Sequence, residues 1–158
     1  MKIDAKRRLM LKSTLAAAFT GVAVGAGLLN PRTVLAAWPK DAFEAKSIDA
    51  ALSAALGSSS PTESGDIKII APSIAENGAV VNISVDANIP NAESVSILIE
   101  KNASPLAISM SMAGSVKPFL KTRVKIGKTS DVIGVVKAGG KLYSAKKMVK
   151  VTVGGCGG

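Results

Sequence analysis

The residue best suited to chemistry is the only cysteine of the chain, which lies third from its end in the sequence VTVGGCGG. Cys156 has no second cysteine with which it could form an intramolecular disulfide. Its thiolate is a strong nucleophile, but a free thiol with a pKa of about 8.5 is only a few per cent ionised at neutral pH. The nearby terminal carboxylate disfavours the thiolate further. We therefore expect Cys156 to be a covalent attachment point that a partner enzyme must activate.

The residues around this cysteine are glycines, namely Gly154, Gly155, Gly157 and Gly158. Glycine loses the most conformational entropy when it is ordered, so we expect segment 154–158 to be a flexible arm. Five extended residues span roughly 17 Å, and an arm without side chains is thin enough to enter a narrow cleft of another protein. The alternative is a floppy tail with an accidental cysteine, but an exposed thiol is a liability in an oxidising compartment.

The rest of the chain offers no other site for chemistry. It contains no histidine, the commonest general base and the commonest metal ligand. A single cysteine cannot form a structural zinc site, and no glycine-rich phosphate loop lies between a strand and a helix. We therefore predict no catalytic residues, no metal and no cofactor. Aromatic residues make up only 3% of the chain, which argues against stacking on nucleic acid bases.

Residues 1–36 have the composition of an export signal. A basic beginning with Arg7 and Arg8 precedes a small-residue apolar stretch from Leu15 to Leu29, and a cleavage site follows before Ala37. The sequence RRLMLK resembles the twin-arginine signal, although two positions depart from the usual pattern. The alternatives are the general export route and a retained anchor, but the apolar stretch is too weakly hydrophobic for a good membrane span. We expect cleavage, twin-arginine export and a periplasmic mature protein.

The mature part begins with a helical pattern. Asp41 and Glu44 have the spacing of a capping box, and apolar residues then recur at roughly helical spacing as far as Leu56. Gly57 is placed to end the helix, and the sequence SSSP that follows is a linker. The pattern therefore predicts one N-terminal helix.

From Asp66 onward, apolar residues alternate with polar ones, as in VNISVD, which is typical of strands with one buried face. Turn sequences such as ENG and AGG separate the runs. The pattern predicts seven strands, at about 67–71, 79–86, 94–101, 106–112, 118–126, 131–138 and 141–153. Seven short antiparallel strands indicate that residues 37–153 form a helix followed by an immunoglobulin-like β-sandwich, an all-β fold.

Charge is distributed unevenly along the chain. From Lys117 to the end there are 10 basic residues and 1 acidic residue, whereas residues 37–116 hold 4 basic and 9 acidic residues. One interpretation is a basic face that attracts an acidic partner or an anionic substrate. The other is that lysines keep edge strands soluble.

Three segments carry a resemblance to a known family. The ending VTVGGCGG, the preceding run TRVKIGKTSDVIGVVKAGGKLYSAKKMVK and the sequence IKIIAPSIAENGAVVNISV are similar to the SoxY family of periplasmic sulfur carriers. The likeness extends over the whole mature chain and includes the leader. One departure is Asn82, where proline is frequent in the family.

The resemblance implies a carrier rather than an enzyme, paired with SoxZ, another sandwich protein. It implies that Cys156 holds the pathway intermediates covalently while the glycines let the arm visit several enzymes. A c-type cytochrome complex, SoxXA, would join thiosulfate to the thiol, and the hydrolase SoxB would release sulfate. In some organisms a sulfane dehydrogenase, SoxCD, oxidises the remaining sulfur. We expect no nucleic acid partner and no stable membrane insertion after cleavage.

Two other functions remain open at this point. An exported binding or structural module would use Cys156 for an intermolecular disulfide. A terminal glycine pair such as Gly157-Gly158 also occurs in carriers that hold sulfur as a thiocarboxylate. Those carriers need ATP-dependent activation and have a ubiquitin-like fold, which neither the export signal nor the seven-strand pattern favours.

Overall fold

The structure, a computed structural model, describes residues 39–113 and 115–152. The predicted export signal and the predicted arm with Cys156 both lie outside the described residues. The described elements are, in chain order, α1 Lys40–Glu44, α2 Ile48–Leu56, β1 Thr62–Glu63, β2 Ile67–Ile70, β3 Ile74–Ala75, β4 Val81–Ala87, β5 Ala92–Ile99, β6 Leu106–Ser111, β7 Phe119–Val124, β8 Ser130–Ala138 and β9 Lys141–Val151.

The helical segment consists of two helices, so the prediction of a single helix was wrong. Asp41 does not cap α1, which follows Pro39 and has no side-chain cap hydrogen bond. The cap lies further along, where the Ser47 hydroxyl accepts a hydrogen bond from the Ala50 N–H at 3.2 Å and starts α2. Serine is favoured at this position because its short side chain accepts a hydrogen bond from a backbone N–H that the first turn leaves without a partner. Gly57 ends the helical segment, as predicted, and it is in the left-handed conformation with φ of 80°.

Replacement of Ser47 by alanine is expected to lower the free energy of unfolding by about 1 kcal/mol, because an N–H of the first turn of α2 then loses its partner. Urea denaturation followed by circular dichroism measures the change. The control is Ser53→Ala, at an exposed position inside the same helix, where alanine is the better helix former and no loss is expected. Equal stability of the Ser47→Ala variant and the wild type would contradict the assigned cap.

Seven strands occur where the sequence predicted them, and they form two sheets. The large sheet has the order β1-β9-β8-β5-β6, and β3 also pairs with β9. The small sheet has the order β2-β4-β7. The two additional strands, β1 and β3, have two residues each and pair parallel to β9. The described residues thus form an immunoglobulin-like sandwich that is antiparallel except at these two short strands.

The large sheet is covered on both faces in its centre. Alternating residues from both sheets fill the core between them: Ile83, Val85, Val95, Ile97, Leu120, Val132, Val136 and Val149. On the opposite face, Leu52 and Leu56 of α2 form a second cluster with Leu98, Val135 and Leu142. Because β5 is covered on both faces, every residue from Ser94 to Ile99 is buried and the alternating pattern is lost there.

Candidate functional site at the base of the arm

Strand β9 leads directly to the predicted arm, and it is held on both sides. Its register with β8 runs from Lys141 to Val149, and β3 pairs with its last two residues from the other side. The Val151 N–H donates to the Thr129 hydroxyl oxygen at 3.0 Å, and the Thr152 N–H donates to the Ala75 carbonyl at 3.1 Å. The backbone is therefore hydrogen-bonded as far as Thr152, the last described residue.

Three loops meet around this end of β9. The loop between β7 and β8 is joined to the β3–β4 loop, because the Ile126 N–H donates to the Gly78 carbonyl at 2.7 Å. It is joined to the β5–β6 loop by Asn102, whose amide accepts from the Gly127 N–H at 3.0 Å and donates to the Lys125 carbonyl at 2.8 Å. These bonds fix the backbone of the surface around the end of β9.

Gly78 allows the closest of these approaches. A Cβ atom at this position would lie 2.4 Å from the Ile126 carbonyl oxygen and 2.8 Å from Cγ1 of Val151. Real Cβ atoms essentially never come this close to another heavy atom. The sequence ENG indicated only a turn here, whereas the structure shows that the glycine lets three segments pack against one another at the base of the arm.

The structure does not gather the basic residues of the C-terminal half on one face. Lys137 and Lys147 donate to backbone carbonyls of Leu56 and Ala71, at 3.1 Å and 2.7 Å. The others lie on or beside β7 of the small sheet, along β9 or around the arm base. Lys125 and Lys128 belong to the last group and line one cleft together with Lys101, which comes from the other half of the sequence.

None of the sequence-predicted site residues is among the described residues, so the structure adds the base of the arm and leaves the predicted site untested. Cys156 and the glycines Gly154, Gly155, Gly157 and Gly158 lie outside the described residues, as do Arg7 and Arg8. Sequence reasoning missed the roles of Asn102 and Thr129, because their partners lie in segments remote along the chain. No cluster of three or more His, Cys, Asp or Glu residues suited to a metal occurs within 39–113 and 115–152. Among these residues, no helix is long and apolar enough to cross a membrane.

Comparisons with known proteins include Cys156, which the structure does not describe. The family model of the sulfur oxidation protein SoxY matches residues 52–156, a range that ends at Cys156. The structure of the sulfur carrier protein SoxY from Chlorobium limicola f thiosulfatophilum matches with 44% sequence identity and a TM-score of 0.62. This match covers 66% of this chain and 96% of that chain.

A second solved structure concerns T cell activation by the bacterial superantigen toxic shock syndrome toxin-1. It covers 54% of this chain and 99% of that chain, with 11% identity and a TM-score of 0.40, and such a likeness carries no argument. None of the curated proteins matches the chain. The match to the SoxY model, which spans well over half of the chain, shows that this chain belongs to the SoxY family of sulfur carrier proteins.

Proposed function

We propose that this chain is a periplasmic carrier that holds thiosulfate-derived intermediates covalently on Cys156 and presents them to sulfur-oxidising enzymes. The observation that carries the proposal is the family match, which runs along the sandwich and through the arm to Cys156. The hydrogen-bonded end of β9 supports it, because a fixed base confines the thiol of a short flexible arm to the region around that end.

The chemistry assigns a different partner to each step. Joining the outer sulfur of thiosulfate to the Cys156 thiolate forms an S–S bond and releases two electrons, which a c-type cytochrome complex such as SoxXA accepts. Hydrolysis of the terminal S–S bond by a SoxB-like enzyme takes up water and releases sulfate, which leaves a persulfide on the cysteine. A SoxCD-like sulfane dehydrogenase would oxidise that remaining sulfur before a second hydrolysis. The carrier itself supplies the nucleophile and the arm.

The predicted export signal supports a periplasmic location for these steps. A twin-arginine signal built on Arg7 and Arg8 would deliver the folded chain there, after which cleavage near Ala37 would release residues 37–158. The proposed organisation is therefore a signal at 1–36, a folded body at 37–153 and a carrier arm at 154–158. Sequencing the N-terminus of the protein recovered from the periplasm tests the signal boundary.

Intact mass spectrometry tests the carrier function. The mature protein is isolated from cells supplied with thiosulfate, measured with and without reductant, and its adducts are mapped to the C-terminal peptide. Thiosulfonate or sulfane adducts on Cys156 that reductant removes are the expected result. A bare thiol or a plain disulfide dimer during active thiosulfate turnover would instead favour an exported docking module that uses the cysteine for an intermolecular disulfide.

We further propose that the chain works in a heterodimer with a SoxZ-like subunit, and the outer edge of β6 supports such pairing. Strand β6 pairs with β5, and no described strand pairs with its other side. No charged residue lies between Lys101 and Lys117, so this edge lacks the charges that usually protect exposed strands. The edge strand β7 of the small sheet, by contrast, carries Lys121 and Arg123. A β-rich partner could add a strand to β6.

The ladder shows which backbone groups of β6 are available to a partner. The Met112 N–H donates to the Glu93 carbonyl at 2.8 Å, beside the Ser94–Ser111 pair. Because hydrogen-bonded and non-hydrogen-bonded pairs alternate in an antiparallel ladder, the N–H groups of Ser111 and Ser109 are directed away from β5. These N–H groups are the donors that an added strand would use.

Replacement of Ser111 by proline is expected to weaken association with the SoxZ-like subunit about tenfold, since it removes an outward N–H but no bond to β5. Isothermal titration calorimetry with the two purified subunits measures the affinity. Ser111→Ala is the matched control, because it keeps the N–H and should bind as the wild type does. If the proline and alanine variants bind equally tightly, the edge of β6 is not the interface.

A further inference from the structure

We propose that a basic cleft beside the base of the arm binds the sulfonate-type oxyanion of a sulfur compound, either attached to the arm or free in solution. The cleft lies between the β5–β6 and β7–β8 loops and has a volume of about 550 Å³. Its lining residues are Lys101, Asn102, Ala103, Ser104, Lys125, Gly127 and Lys128. The arm-borne part of this inference rests on the proposed carrier function, whereas binding of the free anion does not.

The charge of the cleft is of one sign. Three of its seven lining residues are lysines, and none is a carboxylate. No ion pair is formed by Lys101, Lys125 or Lys128 with any of the described residues 39–113 and 115–152, although Lys117, Lys137 and Lys40 each pair with a carboxylate elsewhere. An anion that enters the cleft therefore does not compete with a resident carboxylate.

The backbone of the cleft is fixed although its lysine side chains are exposed. Asn102 holds the Lys125 carbonyl and the Gly127 N–H at the same time. The Lys101 N–H donates to the Ser130 hydroxyl oxygen at 3.0 Å, which fixes the other wall. The three lysine Cα atoms therefore keep their relative positions, and an anion has to order only the side chains beyond them.

The cleft is within reach of the arm. Lys125 and Gly127 also line a neighbouring depression whose other residues include Val151 and Thr152. Cys156 follows Thr152 by four residues, and four extended residues span roughly 13 Å. A thiosulfonate on Cys156 would carry its negative group one disulfide length further. The unloaded thiol and the sulfur left after sulfate release lack this oxyanion, so the cleft would distinguish the thiosulfonate-loaded arm from both.

The expected effect of each lysine on the affinity for the anion follows from the attraction between two charges in water. An exposed lysine about 4 Å from the anion contributes roughly a fivefold gain in binding at low salt, and this gain decreases as the ionic strength rises. Two lysines acting together are expected to change the affinity about 20-fold. Occupancy of the cleft would keep the S–S bond of the loaded arm close to the body and slow its attack by free thiols.

The first experiment uses the mature Cys156→Ser protein, so that the anion can bind but cannot react with a thiol. Sodium thiosulfate is titrated at constant ionic strength against sodium chloride while the amide resonances of Asn102, Gly127 and Lys128 are followed by NMR. Saturable shifts are expected, and Lys125→Gln with Lys128→Gln should weaken binding about 20-fold. The matched control is Lys141→Gln with Lys146→Gln, which removes the same charge from exposed positions of β9 and should change nothing.

The second experiment uses the wild-type mature protein after reaction with tetrathionate. The Cys156 thiolate attacks tetrathionate, thiosulfate leaves, and a thiosulfonate remains on the cysteine. This exchange at an S–S bond needs no additional oxidant or reductant. Release of this adduct by glutathione is expected to be faster in the Lys125→Gln, Lys128→Gln variant than in the wild type, and unchanged in the Lys141→Gln, Lys146→Gln control. Mass spectrometry follows the release.

The outcomes test the proposed anion site and the proposed carrier function independently. Absence of saturable shifts would overturn the anion site, whether or not Cys156 is loaded in cells. Saturable shifts with equal release rates in all variants would overturn the arm-borne part and leave a site for the free anion. Saturable shifts in a protein whose cysteine is never loaded in cells would support the site and overturn the carrier function.

Discussion

Replacement of Cys156 by serine is expected to abolish covalent loading completely, with no sulfur adduct on the protein from thiosulfate-supplied cells. A serine hydroxyl is far less acidic than a thiol and forms no S–S bond, so neither the oxidative attachment nor the later hydrolysis has a substrate. Intact mass spectrometry of the mature chain measures the loss. Thiosulfate consumption by the cells should stop at the same time, since no other cysteine exists in the chain.

Two further variants distinguish the carrier from its alternatives. Removal of Gly158 should leave loading nearly intact, because the arm keeps its cysteine, whereas a carrier that uses a terminal thiocarboxylate would lose all function. Extension of the arm by two glycines after Gly155 should also keep the thiol reactive. If Cys156→Ser removed only covalent dimers and left thiosulfate oxidation unchanged, the docking module would replace the carrier.

Sequence reasoning succeeded where a strand has one covered face. The run VNISVD alternates because Ile83 and Val85 face the core while Asn82 is exposed. The pattern failed for β1 and β3, since two residues have no period that could be recognised. Strand β5 was predicted at 94–101, but the alternation does not describe its burial, because the second sheet covers one face and α2 covers the other.

The helices show a different limit. The spacing of Asp41 and Glu44 predicted a helix start at Asp41, whereas the side-chain cap in the structure is Ser47, at the start of α2. Asp41 is a residue of α1 itself, whereas Ser47 follows two residues outside the helices and caps α2. Ala42 and Ala51 are both buried in the same cluster. In one continuous helix, at about 100° per residue, these two residues would lie on opposite faces. The break between α1 and α2 lets both pack against the large sheet.

Of the candidate site, only the reactive cysteine and its neighbouring glycines could be predicted from the sequence. Cys156 and its glycines are recognisable because their types and spacing are unusual. The base of the arm was not recognisable, because it depends on contacts between segments that are far apart in sequence. Gly78, Asn102 and Thr129 each occur in loops whose composition is ordinary, and their roles appear only when the loops are assembled around β9.

Replacement of Gly78 by alanine is expected to have the largest effect on stability of any single methyl group added at the base of the arm. The new Cβ would lie 2.4 Å from the Ile126 carbonyl oxygen, which is part of the backbone and has no rotamer into which it could move. Overpacking of this kind costs about 1–3 kcal/mol, and we expect the upper end of that range. Urea denaturation of the mature protein measures it.

The Gly78 variant has a matched control and a local readout. Gly65→Ala adds the same methyl group in another turn, where nothing lies within 4 Å of the new atom, so its stability should change by less than about 0.5 kcal/mol. In Gly78→Ala, the Ile126 and Val151 amides should exchange with solvent faster than in the wild type, because both segments must move apart. Equal exchange and equal stability would mean that the three segments are not closely packed.

A second substitution divides the effect between its two contacts. Val151→Ala removes the Cγ1 atom that would lie 2.8 Å from the added methyl group but leaves the Ile126 carbonyl in place. In a double-mutant cycle, Val151→Ala should therefore restore only part of the stability lost in Gly78→Ala. Full restoration would assign the whole cost to the last residue of β9, whereas no restoration would assign it to the β7–β8 loop. In either case the same measurement shows which neighbour of Gly78 holds the base of the arm in position.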